Sequence, residues 1–522
     1  VHTINFRPEQ SYAAIMPMSE NFELTERFTR VSEDEVLYSF TVVDPNAYAL
    51  PFTGERTLKR AGPRDRMLEF ACHEGNYSMA GILAGARKEE EDAARRAAER
   101  LHEPAALAQD LDQFLQTIVA THPDVEYTAD LRELRAKAAD IRAGLKAPMN
   151  VRAVWAQFAR LNPLFRDAHT GLQYPVTEFS EYRKGGGAVL PLAVYIDAAG
   201  RVRIAESAES PASVAAHEEI VAINGQSMQE FLRLAMPLMR GETANIQRLV
   251  LARNFAAYYW TLNGEQSEYR ATIRDARGQS RVVVLPATSD TVDAAAPSQA
   301  FRYERIRPGV GYLQVRSFDI RLAKPFESFL AESFADMKSR GVRDLVVDLR
   351  DNPGGAHELS DRLLQHLISR PVRQASSLRA RIVDANRSIA PSAALNAVVT
   401  MEHEEWLEPQ DESDRFAGET LLLIGPRTYS QAIVFSATFQ DFGLGRVVGQ
   451  PTDGWANQTG QVHMTPLAHT ALIAAAPLYI IYRPSGVRQP GGVQPDVLMA
   501  EDPLDPNATV EQAVELIERR AR

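Results

Sequence analysis

Hydrophobic and polar positions change their period several times along the chain, and each change marks a different kind of element. In ENFELTERFTRV and EVLYSFTVVDP, between residues 20 and 45, apolar and polar side chains alternate, as they do in half-buried strands. Residues 84–101 (AGARKEEEDAARRAAERL) predict a helix with a solvated charged surface, a joint between two units. From Glu103 to Arg160 apolar residues recur at three and four, in LAQDLDQFLQTIVATHP, TADLRELRAKAADIRAGL and VRAVWAQFARL. A small helical domain is expected there, its first helix ended by His122-Pro123. Residues 172–297 return to short strands. One of these, Ile220 to Ile223, runs into an Asn224-Gly225 turn and a helix from Ser227. The small polar run Asp290 to Gln299 predicts a linker.

Beyond residue 300 strands and helices alternate. GVGYLQVRSF reads as a strand and AKPFESFLAESFADMKSRG as an amphipathic helix ending at Gly341. VRDLVVDLR is apolar almost throughout, the pattern of a strand covered on both faces. DNPGG turns the chain, and HELSDRLLQHLI is the next helix. RVVG and then TALIAAAPLYIIY predict further strands, the second stretch a pair of them. NATVEQAVELIER closes the chain as a helix with Asn507 at its start. This part is organised around GETLLLIGPRTYSQAIVFSATFQDFGLGRVVG, from Gly418 to Gly449. A buried strand (Thr420 to Ile424), a turn and an apolar helix from about Gln431 put Ser430 at a helix start. Free N–H groups and the positive end of the helix dipole favour an anion forming there. Serine is also a preferred N-cap, and the position alone does not separate the two roles.

Composition narrows the choice only at the margins. A chain of 522 residues holds two to four domains, and a net charge of -11 argues against a nucleic-acid binder. The single cysteine, Cys72, excludes an internal disulfide and a cysteine-rich zinc site. Cys72, His73 and Glu74 read as a local structural cluster, since no second ligand pair follows at metal spacing. No metal and no cofactor is expected. No apolar run approaches the ~20 residues that span a bilayer, so no membrane span is expected. The chain starts at Val1 without a methionine, as a mature or trimmed form would; a periplasmic or secreted location is expected. Nothing bears on the oligomeric state.

The chemistry lies in four stretches: Asp167-Ala168-His169-Thr170-Gly171, DLRDNPGG, TYSQAIVFSATFQDFG with VVGQPT, and RQPGGVQPDV. Their order resembles the C-terminal processing (tail-specific) serine peptidase superfamily, over roughly residues 105–522. The resemblance implies an α/β fold whose core, residues 298–522, is a crotonase-like spiral. EEIVAINGQSMQEFLRLAM resembles the strand-turn-helix of a PDZ-type domain, which makes 171–297 a PDZ-like region and 84–170 the helical domain. The β-leaning extension 1–83, through TERFTRV, FTVVDPNAYALPFTGE and LEFACHEGNY, is similar to the C-terminal part of a secreted, β-rich bacterial family of unknown function.

The resemblance also implies roles. Ser430 is the nucleophile. Many members pair it with a lysine from a later turn, but Trp455 occupies that place and no lysine follows Lys338. A second branch takes its base from a D-x-H-[ST] loop, which Asp167 to Thr170 match with His169. That branch orients the imidazole with a Glu or Gln close before GxxPDx, and Gln489 stands there, 59 residues after Ser430. Asp496 is a weaker candidate, and His357, His463 and His469 remain alternative bases. Backbone N–H groups of Gly354 or Gly355 and of Gln431 are implied as the oxyanion hole. Members often carry Glu in the first turn after the serine; here that turn is Gln431, Ala432, Ile433 and Val434. A serine hydroxyl needs a base to become a nucleophile, and histidine serves near neutral pH. Gln can fix the ring but cannot neutralise an imidazolium, so a slow enzyme is expected. The implied function is a metal-independent serine endopeptidase cleaving extended or unfolded peptides through an acyl-enzyme. The alternative is a non-hydrolytic peptide- or lipid-binding protein on the same fold.

Overall fold

Alternation near the start of the chain becomes an antiparallel meander. The computed structural model describes residues 1–4, 18–60, 100–205, 211–289, 300–500 and 505–521. Cys72, His73 and Glu74, the charged helix expected over 84–101 up to residue 99, and the Asp290 to Gln299 linker lie outside the described residues. Two units divide the chain, Val1–Ala84 and Gly85–Arg522. In the first, β1 (His2–Thr3), β2 (Glu23–Arg30), β3 (Glu35–Val43) and β4 (Phe52–Lys59) form one sheet in sequence order. Cross-strand aromatic pairs line it, Phe28 on Tyr38 with ring centroids 4.9 Å apart and Phe40 on Phe52 at 6.4 Å.

The second unit opens with helices α1 (Pro104–Thr121), α2 (Leu131–Gly144) and α3 (Val151–Phe158). Asp130 caps α2 by accepting from the N–H groups of Arg132 and Glu133, and Asn150 caps α3 by accepting from Ala153. A 3-10 turn over Ala159–Phe165 leads to β5 (Gly171–Leu172) and α4 (Val176–Lys184). Next come β6 (Val194–Ile196), β7 (Val202–Ile204), β8 (Glu219–Ile223), β9 (Gln226–Ser227), α5 (Met228–Ala235), α6 (Ala244–Arg253), α7 (Phe255–Asn263), β10 (Glu268–Arg274) and β11 (Ser280–Pro286). These strands make an antiparallel sheet in the order β11-β10-β8-β7-β6, with β9 on β8. One apolar cluster runs from Leu107 through Trp155, Phe231 and Tyr259 to Leu285. The helical and the short-strand regions therefore share a core.

The α/β part supplies β12 (Phe301–Arg307), β13 (Val310–Val315), α8 (Ala323–Ser339), β14 (Asp344–Asp348), α9 (His357–Leu367), β15 (Ser377–Arg381), β16 (Val398–Glu402), β17 (Glu419–Ile424), α10 (Gln431–Asp441), β18 (Arg446–Gly449), β19 (Gln458–Pro466), β20 (Ile473–Tyr482), β21 (Val497–Leu498) and α11 (Pro506–Ala521). Its main sheet runs β12-β13-β14-β17-β18-β21, parallel from β13 onward. Leu345, Val347, Leu422 and Ile424 face one apolar cluster, and Val346, Leu421 and Leu423 face another. That two-sided burial is why these strands are apolar throughout. The same holds for α10, where every residue from Ala432 to Phe439 is buried.

One expectation is corrected here. TALIAAAPLYIIY is not a pair of strands; it contributes the single strand β20, and its partner is β19, upstream. The turn falls at Ala468 to Thr470, and Ala471 after it lies in the left-handed region at φ 55°. The second sheet is β16-β15-β20-β19, and β5 joins it at β20.

Candidate active site

Ser430 sits between β17 and α10 with φ 52° and ψ -124°, a conformation an L-residue adopts only under strain of about 1–3 kcal/mol. As an N-cap its side chain would accept from the first helical N–H groups, yet it makes no such bond. Its Oγ lies 3.1 Å from His169 Nε2. The main chain of the turn is braced on both sides: Gln458 Nε2 donates to the Ser430 carbonyl at 2.7 Å, and Tyr429 N donates to Asn352 O at 2.9 Å. The strained sharp turn thus points the hydroxyl away from the helix and at an imidazole.

His169 is delivered by the loop between the 3-10 turn and β5. Arg166 takes φ 50° to start the loop, and β5 pairs with β20 to end it. Asn162 pins that strand, accepting from Leu172 N at 2.7 Å and donating to Leu172 O at 3.0 Å. Inside the loop the buried Asp167 folds it on itself: Oδ1 accepts from His169 N at 2.9 Å and Oδ2 from the Thr170 hydroxyl.

The other ring nitrogen, Nδ1, is 3.1 Å from Thr459 Oγ1, and Thr459 donates to Asp167 Oδ1 at 2.9 Å. Direct Nδ1 to Asp167 Oδ1 separation is 3.5 Å, too long for a strong hydrogen bond. Burial by itself would raise the Asp167 carboxyl. The hydrogen bonds and charge of His169 and the Thr170 hydroxyl override it and hold Asp167 well below the usual carboxylate range. An ionised Asp167 only accepts, so the single Thr459 hydrogen goes to it. Thr459 Oγ1 must then accept from His169 Nδ1–H, which leaves Nε2 as the acceptor facing Ser430.

The Gly354-Gly355 turn packs directly against the serine. A Cβ on Gly354 (φ 92°) would lie 2.6 Å from Ser430 Cβ and 2.7 Å from Gln431 N. A Cβ on Gly355 (φ 142°) would lie 2.2 Å from Phe318 O. Only glycine fits at either place. Gly354 N–H is consumed by Asn352 Oδ1 at 2.8 Å. Gly355 N–H and Gln431 N–H have no acceptor among the described residues. The Gln431 side chain is anchored, donating to Ser360 Oγ and Gln374 Oε1 at 2.7 Å each.

Of the residues singled out in the sequence, Ser430, His169, Gly354 with the adjoining Gly355, and Gln431 come together, Gly354 with its N–H already taken. Gln489 does not. Its side chain is exposed, its carbonyl accepts from Asn457 Nδ2, and Thr459 and Asp167 occupy the face of His169 intended for it. Asp496 is tied to Val447 N at 2.8 Å and to Gln440. Trp455 packs on Tyr127 with centroids 5.2 Å apart. Among the alternative bases, His469 bonds Gln109 at 2.7 Å and His357 is exposed beside Glu358. Sequence reasoning passed over Thr459, Gln458 and Tyr429, and took Asp167 only as a loop former. The D-x-H-T pattern could have pointed to Asp167, because an Asx turn places the carboxylate next to the ring it precedes.

Comparison with known proteins extends this picture. Residues 309–499 match the family model for peptidase family S41. No curated protein matches the chain. Among solved structures, mature CPAF is similar over 78% of this chain and 96% of its own, at 14% identity and a TM-score of 0.54. Mature CPAF complexed with lactacystin matches over 80% and 98%, at 14% identity and 0.55. The photosystem II D1 C-terminal processing protease matches over 75% and 93%, at 16% identity and 0.44. At these identities the CPAF likeness speaks for a shared fold.

Proposed function

We propose that this chain, whose residues 309–499 match the model for peptidase family S41, is a serine peptidase that cleaves extended or unfolded polypeptides through an acyl-enzyme on Ser430, with His169 as the base. The observation that carries this reading is the 3.1 Å contact between Ser430 Oγ and His169 Nε2 at a strained, uncapped serine. His169 Nε2 takes the hydroxyl proton as Oγ bonds to the scissile carbonyl carbon. The oxygen of the tetrahedral intermediate is received by Gly355 N–H and Gln431 N–H, with the α10 dipole behind them. On collapse the C–N bond breaks and the imidazolium gives its proton to the leaving amine. Water, deprotonated by the same nitrogen, then bonds to the acyl carbon; the Oγ–C bond breaks, the imidazolium returns its proton to Oγ, and the acyl group leaves as a carboxylic acid.

In this reading Asp167 replaces Gln489 as the group that orients the ring. It acts through the Thr459 hydroxyl and supplies the negative charge that an amide lacks. The α/β core with its mixed sheet supports the crotonase-like reading, and the antiparallel sheet with α5 supports the PDZ-like one. A groove of 670 Å³ between the β6–β7 turn and α5, lined by Gly200, Ser227, Leu232, Arg233 and Arg248, would seat part of an extended substrate. Nothing in the site favours the non-hydrolytic alternative. The test is hydrolysis of an unfolded protein such as reduced casein. Wild type should cleave it and Ser430→Ala should fall to background; equal rates would remove the assignment.

A further inference from the structure

Glu242 bonds the tyrosine that stacks on His169, and the reaction above gives it no role. It precedes α6, whose N-cap is Thr243, and Thr243 also donates to Asp453 at 2.7 Å, so the residue that follows Glu242 is fixed. Glu242 Oε1 accepts from Tyr429 Oη at 2.9 Å. Oε2 is shut off from solvent and has no hydrogen-bond partner among the described residues. Tyr429, the residue before Ser430, is buried, and its ring lies on the His169 imidazole with centroids 5.2 Å apart and planes 23° apart. Its oxygen is 3.5 Å from His169 Nδ1. The imidazole is thus held at its edge by Thr459 and Asp167 and on its face by Tyr429, and Glu242 fixes where that phenol can be.

Resting on the reading of His169 as the base, we propose that Glu242 is a positioning residue: through Tyr429 it keeps the imidazole plane aligned with Ser430 Oγ. The two nearby carboxyls divide the work. Asp167 accepts from Thr459, Thr170 and a backbone N–H, and carries the charge. Glu242 has one side-chain donor, the Tyr429 hydroxyl, and an oxygen shut off from solvent without a partner of its own, which suits a neutral acid better than a carboxylate. Burial first, and then the negative charge of Asp167, push the Glu242 carboxyl up to about 8, against the pull of the Tyr429 hydroxyl and nearby N–H groups. Tyr429 is raised well above its ordinary value by burial and by Glu242, so it keeps its proton and donates. A neutral Glu242 can hold the phenol without competing with Asp167 for the imidazolium, and this pairing of one ionised and one neutral carboxyl is how environment separates their roles.

The experiment compares wild type with Glu242→Ala, Glu242→Gln and Tyr429→Phe in steady-state cleavage of a peptide, with active sites counted by a serine-directed phosphonate. Glu242→Ala should lower kcat at least tenfold with KM within twofold, because ring alignment and not substrate binding is lost. Glu242→Gln keeps a neutral acceptor for Tyr429 and should recover kcat to within about threefold of wild type. Tyr429→Phe, which keeps the ring and removes the link, should resemble Glu242→Ala. The proposal is overturned if Glu242→Ala retains kcat within twofold, or if Glu242→Gln is as impaired as Glu242→Ala. Should Glu242→Ala fail to fold, Tyr429→Phe decides: kcat within twofold of wild type overturns the proposal. A wild type that neither cleaves nor takes up phosphonate would instead sink the peptidase reading on which this rests.

Discussion

Thr459 stands between His169 Nδ1 and Asp167, 3.1 Å from one and 2.9 Å from the other, so the charge on the imidazolium is answered through a hydroxyl. Two substitutions separate charge from geometry. Asp167→Asn keeps an oxygen for His169 N–H but removes the negative charge and disturbs the tautomer; kcat should drop by about 10² to 10⁴. Thr459→Val leaves Asp167 in place at 3.5 Å and should cost about tenfold. Wild-type kcat in both variants would show that the third group lies elsewhere. At this scale the sequence was readable where a motif singled out residues that the fold brings together, as with Ser430, His169 and the paired glycines. It misled at Gln489 because order along the chain carries no distance, and the segment that bears it lies on the surface. Thr459 and Glu242 stand in stretches without any pattern, so nothing short of the folded chain brings them to the imidazole.

Four segments converge to build the site: the loop before β5 that carries Asp167 and His169, the β17–α10 turn, the glycine turn after β14, and the start of β19. Their approach is closest at Gly354, where a single methyl group would meet Ser430 Cβ at 2.6 Å and Gln431 N at 2.7 Å. Gly354→Ala should therefore displace both nucleophile and oxyanion donor, lowering kcat by on the order of 10² while the sheet, buried on both faces, stays folded. Circular dichroism and peptide cleavage check it together, and an unimpaired kcat would contradict the packing. The parallel strands and α10 were legible because burial on all sides leaves an unbroken apolar run. β19 was not: Gln458 to Pro466 is largely polar, and its first two residues are turned to the site, holding the Ser430 carbonyl and the His169 ring. A strand that spends its side chains on function gives up the alternation by which strands are recognised.

At the scale of the whole chain, the peptidase chemistry belongs to the unit Gly85–Arg522, and the imidazole and hydroxyl that meet in it come from positions 261 residues apart. Among the described residues no helix is long and apolar enough to cross a membrane. Reaction with a fluorophosphonate followed by peptide-resolved mass spectrometry addresses the central claim, that this contact makes Ser430 a nucleophile. One adduct, on Ser430, should form in wild type and be lost or slowed at least a hundredfold in His169→Ala. An adduct on another serine, or labelling of Ser430 at the same rate without the imidazole, would contradict it.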